Sequence, residues 1–282
     1  QDKRSRILLV TTATAPSPSN LNELATRLTG ELHYDAAMRT LYATDASEYQ
    51  VLPLAVALPQ TEADVRELIL FANANHVGLI PRGAGTSLAG QVVGDGMVVD
   101  LGKHLNRILS YDDETHRVRV QTGVVRNDLN LYLASHGTLF GPETSTANRA
   151  MIGGMVGNNS CGSNSIVYGS TRDHLISTRG FLSDGSEATF GPLTADEFTA
   201  KCSAPDSLET RIYQLVRDLL SDKANRKLIA DNFPKPTVTR RNTGYALDQL
   251  LDCSVFDSSS DKPFNLPPPL RFGGHPVFRR RV

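Results

Sequence analysis

The residues with the clearest capacity for chemistry are PRGAGTSLAGQ, positions 81–91. Gly83, Gly85 and Gly90 permit positive φ and let a ligand approach the backbone closely. Successive N–H groups in such a loop form an anion-binding nest, and the hydroxyls of Thr86 and Ser87 add donors. Arg82 is the only charged residue, so binding would rest mainly on backbone amides. The glycine spacing is G-x-G-x-x-x-x-G. It fits neither the G-x-G-x-x-G dinucleotide fingerprint nor the P-loop, whose closing glycine-lysine pair is missing, and nicotinamide and ATP sites are therefore disfavoured. Taken alone, the loop reads equally well as a surface turn.

A second stretch, 141–174, reads GPETSTANRAMIGGMVGNNSCGSNSIVYGSTRDH. A loop so long and unperiodic is usually functional or disordered. The interleaved Met151, Ile152, Met155, Val156, Ile166 and Val167 argue against disorder. The pair Gly153-Gly154, then Gly157-Asn158, Ser160 and Gly162, offer a second cradle for a phosphate or ribityl chain. Two such loops in one chain are far more specific than one. Within the stretch, Cys161 is read as a small residue filling a tight turn rather than a redox group. His174 is read as structural, at the start of a hairpin, rather than as a base. His104, His116 and His136 have no metal-ligand spacing, and no metal is expected. Arg240 and Arg241 could attract a carboxylate, or could be a surface pair.

The order PRGAGTSLAGQ, PETST, IGGMVGNNSCGSNSIVYGSTRDH resembles the FAD-binding domain of the family that includes the vanillyl-alcohol oxidases. The branch it is most similar to contains D-lactate, glycolate and D-2-hydroxyglutarate dehydrogenases. The flanking LYATDASEYQVLPLAVALPQTEADV and RRNTGYALDQL resemble the same branch, in particular its large bacterial members with a C-terminal iron–sulfur region. The likeness runs over residues 43–266. It implies an α+β fold of the vanillyl-alcohol oxidase type, with FAD between two subdomains of roughly 43–110 and 111–266, truncated at the C-terminus. It implies that Arg82, Gly83, Ala84, Gly85, Thr86, Ser87, Gly90 and Gln91 hold the pyrophosphate. Pro142, Glu143, Thr144 and Ser145 would line the flavin. Gly153, Gly154, Gly157, Asn158, Ser160 and Gly162 would contact the diphosphate, ribityl chain or flavin edge, and Asn242 and Tyr245 would lie near the isoalloxazine. The implied reaction is hydride transfer from a D-2-hydroxy acid to FAD. The alternative is a fragment that holds FAD without turnover. After Phe264-Asn265-Leu266 the family continues with a glycine-serine-glutamate-glycine-threonine strand. Here PPPLRFGGHPVFRRRV follows instead, and the substrate cap and any cysteine-rich region are absent. No catalytic residue is therefore assigned. Loss of that strand predicts an unpaired sheet edge and weakened FAD binding.

The elements that must position these loops can be read from periodicity. Residues 1–42 read as a leader followed by a helix with Leu21, Leu24, Ala25 and Leu28 on one face, ended by Gly30. An apolar run over 54–58 predicts a strand. Thr61 and Asp64 form a capping pattern for a helix with Val65, Leu68, Ile69 and Ala72 inward, stopped by Gly78. Strands are predicted at 79–80, 97–101 and 117–121. Asn127 is placed at the cap of a helix through Ser135. A hairpin is predicted over 175–190, turning at Asp184-Gly185. Thr194 with Glu197 caps another helix, and Leu208, Ile212, Leu215, Val216 and Leu219 mark the longest amphipathic one. From Ser254 no period remains, the chain reads as disordered or loosely packed, and 267–282 is expected to be an irregular or disordered tail.

The 29 basic and 30 acidic residues of the 282 nearly cancel, which argues against a nucleic-acid partner. Three cysteines with no C-x-x-C pair exclude a disulfide framework and a metal ribbon built from this chain alone. No segment approaches the ~20 apolar residues of a membrane helix. A soluble cytoplasmic protein is expected, with peripheral membrane attachment the alternative for a longer form.

Overall fold

The computed structural model describes residues 16–235, 237–238, 245–266 and 277–279. Helix α1 (Pro18–Arg27) leads into strand β1 (Glu31–His33), helix α2 (Ala36–Leu41), strand β2 (Ala55–Leu58), helix α3 (Glu62–Asn75), and strands β3 (Leu79–Arg82) and β4 (Met97–Asp100). These form a four-stranded sheet ordered β1-β2-β4-β3. β1 is antiparallel to β2, whereas β2, β4 and β3 run parallel. All four residues of β2 are buried, as a strand covered on both faces requires. α3 presents Val65, Leu68, Ile69, Phe71 and Ala72 to the core. It ends at Asn75 because His76 takes the left-handed conformation (φ 52°), two residues before the glycine expected to stop it.

Helix α1, expected to lie ahead of the cofactor domain, belongs to this layer, while residues 1–15 of the expected leader lie outside the described residues. Leu21 and Leu24 share one core with Val65, Leu68 and Met97, so the first subdomain begins upstream of Ala43. Its tie is Asp64, only 2% exposed. The carboxylate accepts N–H bonds from Thr29 (2.8 Å), Gly30 (3.1 Å), Gln60 (2.8 Å) and Thr61 (3.0 Å), while Thr61 Oγ1 accepts from the Asp64 amide at 3.1 Å. One side chain thus caps α3 and anchors the end of the α1 segment.

The second layer contains strands β5 (Ile108–Asp112) and β6 (Arg117–Val120), helices α4 (Arg126–Ala134), α5 (Ile152–Gly157), α6 (Ser165–Tyr168) and α7 (Thr171–His174), and strands β7 (Leu175–Phe181) and β8 (Glu187–Phe190). Helices α8 (Ala195–Ser203), α9 (Leu208–Ser221) and α10 (Lys223–Asn232), a 3-10 turn (Leu247–Leu250) and strand β9 (Val277–Arg279) complete it. The sheet order is β5-β6-β9-β7-β8, all antiparallel. The change of sheet falls before Ile108, so the expected division at 110 lies inside β5. α4 starts behind Val125, which offers no side-chain acceptor, and Asn127 sits in the first turn rather than at the cap.

A third cluster packs α8 and α9 against the segment after the 3-10 turn. On α9, Leu215 points outward (69% exposed), and Tyr213 and Leu220 are buried instead. Residues 254–266 are not loose. Phe264 is fully buried, its ring 4.5 Å from that of Phe198, and it exchanges backbone bonds with Leu193 (2.7 and 2.9 Å). Aromatic packing, which leaves no sequence period, orders this stretch.

The expected irregular tail also differs. Of 267–282, only β9 is described, and it lies in the middle of the second sheet. β6 and β7 pair with β9 and not with each other. β9 thus joins the β5-β6 and β7-β8 hairpins from within the chain.

Two outcomes test these ties. Burial alone would raise the Asp64 carboxyl, but the backbone donors outweigh it and hold the group below its ordinary value. Such a group stabilises above its unfolded-state pKa, and that stability is lost as pH falls through the lower folded value. Asp64→Asn should lower unfolding stability at pH 7 by about 2–3 kcal/mol, because an amide NH2 then faces N–H donors. It should also flatten the acid dependence below about pH 4, measured by urea unfolding at several pH values. Phe278→Pro removes a ladder N–H from a central strand. It should lower Tm by about 5 °C or more and speed hydrogen exchange at 117–119 and 175–177. Unaltered exchange there would show that β9 does not join the two hairpins.

Candidate functional site

The first glycine loop leaves β3 at Arg82, at the carboxyl end of the parallel strands, where open α/β sheets place ligands. Leu101 N–H donates to the Arg82 carbonyl at 3.0 Å, and Gly102 N–H to Asp100 Oδ1 at 2.7 Å. Tyr42 Oη donates to Asp100 Oδ2 at 2.6 Å. Burial, reinforced by Asp100, keeps the Tyr42 phenol protonated well above its ordinary range. The Arg82 guanidinium lies over the Tyr42 ring (5.2 Å) and donates to the Tyr42 carbonyl at 3.3 Å. The one charge of the loop is thus engaged beside α2.

The loop backbone turns through left-handed Gly85 (φ 63°) and Gly90 (φ 73°). The Gly85 carbonyl accepts from Ala46 at 2.9 Å, and Gly90 packs on the Tyr49 ring. The amides of Ala84, Gly85, Thr86, Ser87 and Leu88 have no hydrogen-bond acceptor among the described residues. The Thr86 and Ser87 hydroxyls have none either. Five consecutive unpaired donors are the arrangement that a diphosphate satisfies. Gln91 is exposed, its Oε1 accepting from the Ala89 amide at 3.1 Å.

The second loop is hung from the end of β6. Ile152 N–H donates to the Val124 carbonyl (2.9 Å), Gly153 N–H to Thr122 (2.8 Å) and Arg126 N–H to Ala150 (2.8 Å). Ile152 and Met155 are buried. Gly153 is pressed on Thr122, where a β-carbon would come within 2.7 Å of the threonine Cβ. At Gly154 and Gly157 a β-carbon would meet nothing within 4 Å. This helix therefore shows a bare backbone face. The two loops meet at Met151: its Sδ would lie 3.2 Å from a β-carbon at Gly83, and its Cε 2.4 Å from one at Gly102.

The segment 142–145 is zipped to the turn after α5. Glu143 accepts from Asn164 Nδ2 at 2.6 Å and Ser163 Oγ at 3.3 Å, and its carbonyl oxygen would lie 2.4 Å from a β-carbon at Gly162. The buried Pro142 accepts Arg126 Nε at 3.1 Å. Ser160 Oγ accepts from Asn158 Nδ2 (3.1 Å), and the Ser160 carbonyl accepts from Thr171 Oγ1 (2.7 Å). Thr144 Oγ1 and Thr122 Oγ1 are buried without hydrogen-bond partners, while Ser145 is exposed. His174 is buried, Nε2 at 2.6 Å from the Tyr168 carbonyl, which fits the structural reading. Cys161 is a half-buried free thiol. Tyr245 is 57% exposed, and Asn242, Arg240 and Arg241 lie outside the described residues. Among the described residues no group of three or more His, Cys, Asp or Glu could hold a metal ion, and no helix is long and apolar enough to cross a membrane.

Sequence reasoning missed Thr122 and the joining role of Met151. Thr122 carries no sequence signal beyond closing a strand. Met151 is visible only as one apolar residue among several.

Comparison with known proteins bears on the cofactor and the fold. A family model described as "FAD binding domain" matches residues 53–191. The D-2-hydroxyglutarate dehydrogenase of Pseudomonas putida is 39% identical over 226 residues, 79% of this chain and 22% of that protein. The glycolate oxidase subunit GlcD of Bacillus subtilis is 32% identical over 170 residues, 59% of this chain and 36% of that protein. The chain thus spans about a fifth to about a third of the length of these curated relatives. Among solved structures, an alkyldihydroxyacetonephosphate synthase superposes with a TM-score of 0.55 at 21% identity, covering 62% of this chain and 36% of that one. That likeness shows the fold.

The bare face of α5 yields a test. Gly154→Leu should leave the Tm of the apo chain unchanged or raised, since glycine is a poor helix former. It should weaken FAD binding ~10-fold or more in a flavin-fluorescence titration. Gly162→Ala should instead lower the Tm, because its β-carbon meets backbone. Full FAD affinity in Gly154→Leu would turn that face away from the cofactor. Across residues 53–191 the chain thus matches a family model described as an FAD binding domain.

Proposed function

We propose that this chain is the cofactor-holding part of an FAD-dependent oxidoreductase acting on a D-2-hydroxy acid. The observation that carries the reading is the run of unpaired amides from Ala84 to Leu88, set beside the open backbone of Gly154 and Gly157 across the Met151 junction. The amides, with the Thr86 and Ser87 hydroxyls, would take the diphosphate. Gly154, Gly157 and the unpartnered hydroxyls of Thr122 and Thr144 would line the rest of the cofactor. When bound, FAD supplies the acceptor for a hydride equivalent from the substrate Cα. The chain's own contribution is to hold and orient, chiefly through backbone donors that need no reorganisation.

The hydroxy-acid class is supported by the names of the relatives, D-2-hydroxyglutarate dehydrogenase above all. A base must remove the hydroxyl proton. The groups nearest the loops are engaged: Glu143 by Asn164 and Ser163, and His174 at the Tyr168 carbonyl. This favours a second reading, an FAD-binding unit that turns over only with parts of the longer relatives.

Reconstitution with FAD followed by anaerobic addition of D-2-hydroxyglutarate or D-lactate separates the two. Bound flavin that bleaches supports the oxidoreductase, and bound flavin that stays yellow supports the binding unit. Failure to bind any flavin would overturn both.

A further inference from the structure

A cavity of about 170 Å³ lies between the start of β7 and the segment just before Leu266. Its walls are largely apolar, from Leu175, Phe190 and Leu266. One charged group at its lining stands out. Arg172 Nε is buried with no hydrogen-bond partner, and its guanidinium has no ion pair among the described residues. Burying an unpaired charged donor is costly, so an anion is the missing counterpart.

The other charged groups at this cavity are already engaged. Asp173 Oδ2 accepts from the Ser170 amide (2.8 Å) and hydroxyl (3.0 Å). Lys262 Nζ donates to Asp252 (2.6 Å) and to the Gln249 carbonyl (3.0 Å). By contrast, Arg179, further along β7, has two carboxylates, Glu62 and Glu187. Among the described residues, the free cation at this site is therefore Arg172.

We propose that this cavity binds a small organic carboxylate, with Arg172 holding the carboxyl group and the apolar walls holding an aliphatic body. A planar guanidinium matches a carboxylate in geometry, and a charge-assisted bond in a half-dry site is strong. The walls favour an organic acid over inorganic phosphate. The inference stands on Arg172 and the cavity, and needs neither bound FAD nor turnover.

The test is a calorimetric titration of the purified chain with succinate, D-2-hydroxyglutarate, uncharged succinamide and inorganic phosphate. Both acids should bind, and succinamide and phosphate should bind more weakly. Arg172→Gln should lose ~10-fold or more in acid affinity, with Arg172→Lys between it and the parent. The comparison of succinate with succinamide uses the unaltered chain, so it stands even where a variant folds poorly. Absence of acid binding, equal binding of succinamide or phosphate, or a folded Arg172→Gln with parental affinity would overturn the assignment. Binding of both acids alike would mark a free-carboxylate site, and preference for the hydroxy acid would tie it to the proposed substrate.

Discussion

The candidate site depends on clearance at one seam. A β-carbon at Gly102 would lie 2.4 Å from Met151 Cε, and one at Gly123 would lie 2.4 Å from the Leu101 carbonyl oxygen. The ends of β4 and β6 approach each other only because these positions carry no side chain. With Gly83 also against Met151, the seam fixes the first loop relative to α5. Were it wider, the unpaired amides of 84–88 and the open face of α5 would belong to separate surfaces. Instead a single thioether, that of Met151, fills the space between the two loops.

Much of this was legible in the sequence where local chemistry decides. The Thr61–Asp64 box, the stripe on α3, the 175–190 hairpin and the two glycine loops all follow from residue type and spacing. What stayed hidden is set by tertiary context. No local signal says that Asp64 also receives Thr29 and Gly30, or that Arg82 is spent on Tyr42. The short helices α5, α6 and α7 lie in a stretch whose glycines obscure any period. The aromatic packing of Phe264 likewise follows no repeat, so a well-buried segment reads as loose.

The side chains that look reactive are largely structural here. Glu143 ties two turns together, His174 supports the carbonyl of Tyr168, and Asp173 caps its own helix. Among the unsatisfied groups are instead the backbone amides of 84–88 and the hydroxyls of Thr122 and Thr144. A surface of that kind recognises a polyanionic cofactor by shape and direction rather than by charge.

Strand β9 bears on how the molecule is assembled in time. Its partners lie at 117–119 and 175–177, while β9 itself is Val277–Arg279. The β5-β6 and β7-β8 hairpins are local and form early, but their union waits for residues roughly a hundred or more positions away. Loop-closure entropy grows slowly, by about 0.6 kcal/mol per doubling of length, so the finished sheet loses little stability from this arrangement. The rate suffers more, because non-local pairing slows folding and leaves two open edges exposed meanwhile. During that interval each hairpin is a template for another chain, and the same three-residue strand that closes the sheet also ends its exposure to misassembly.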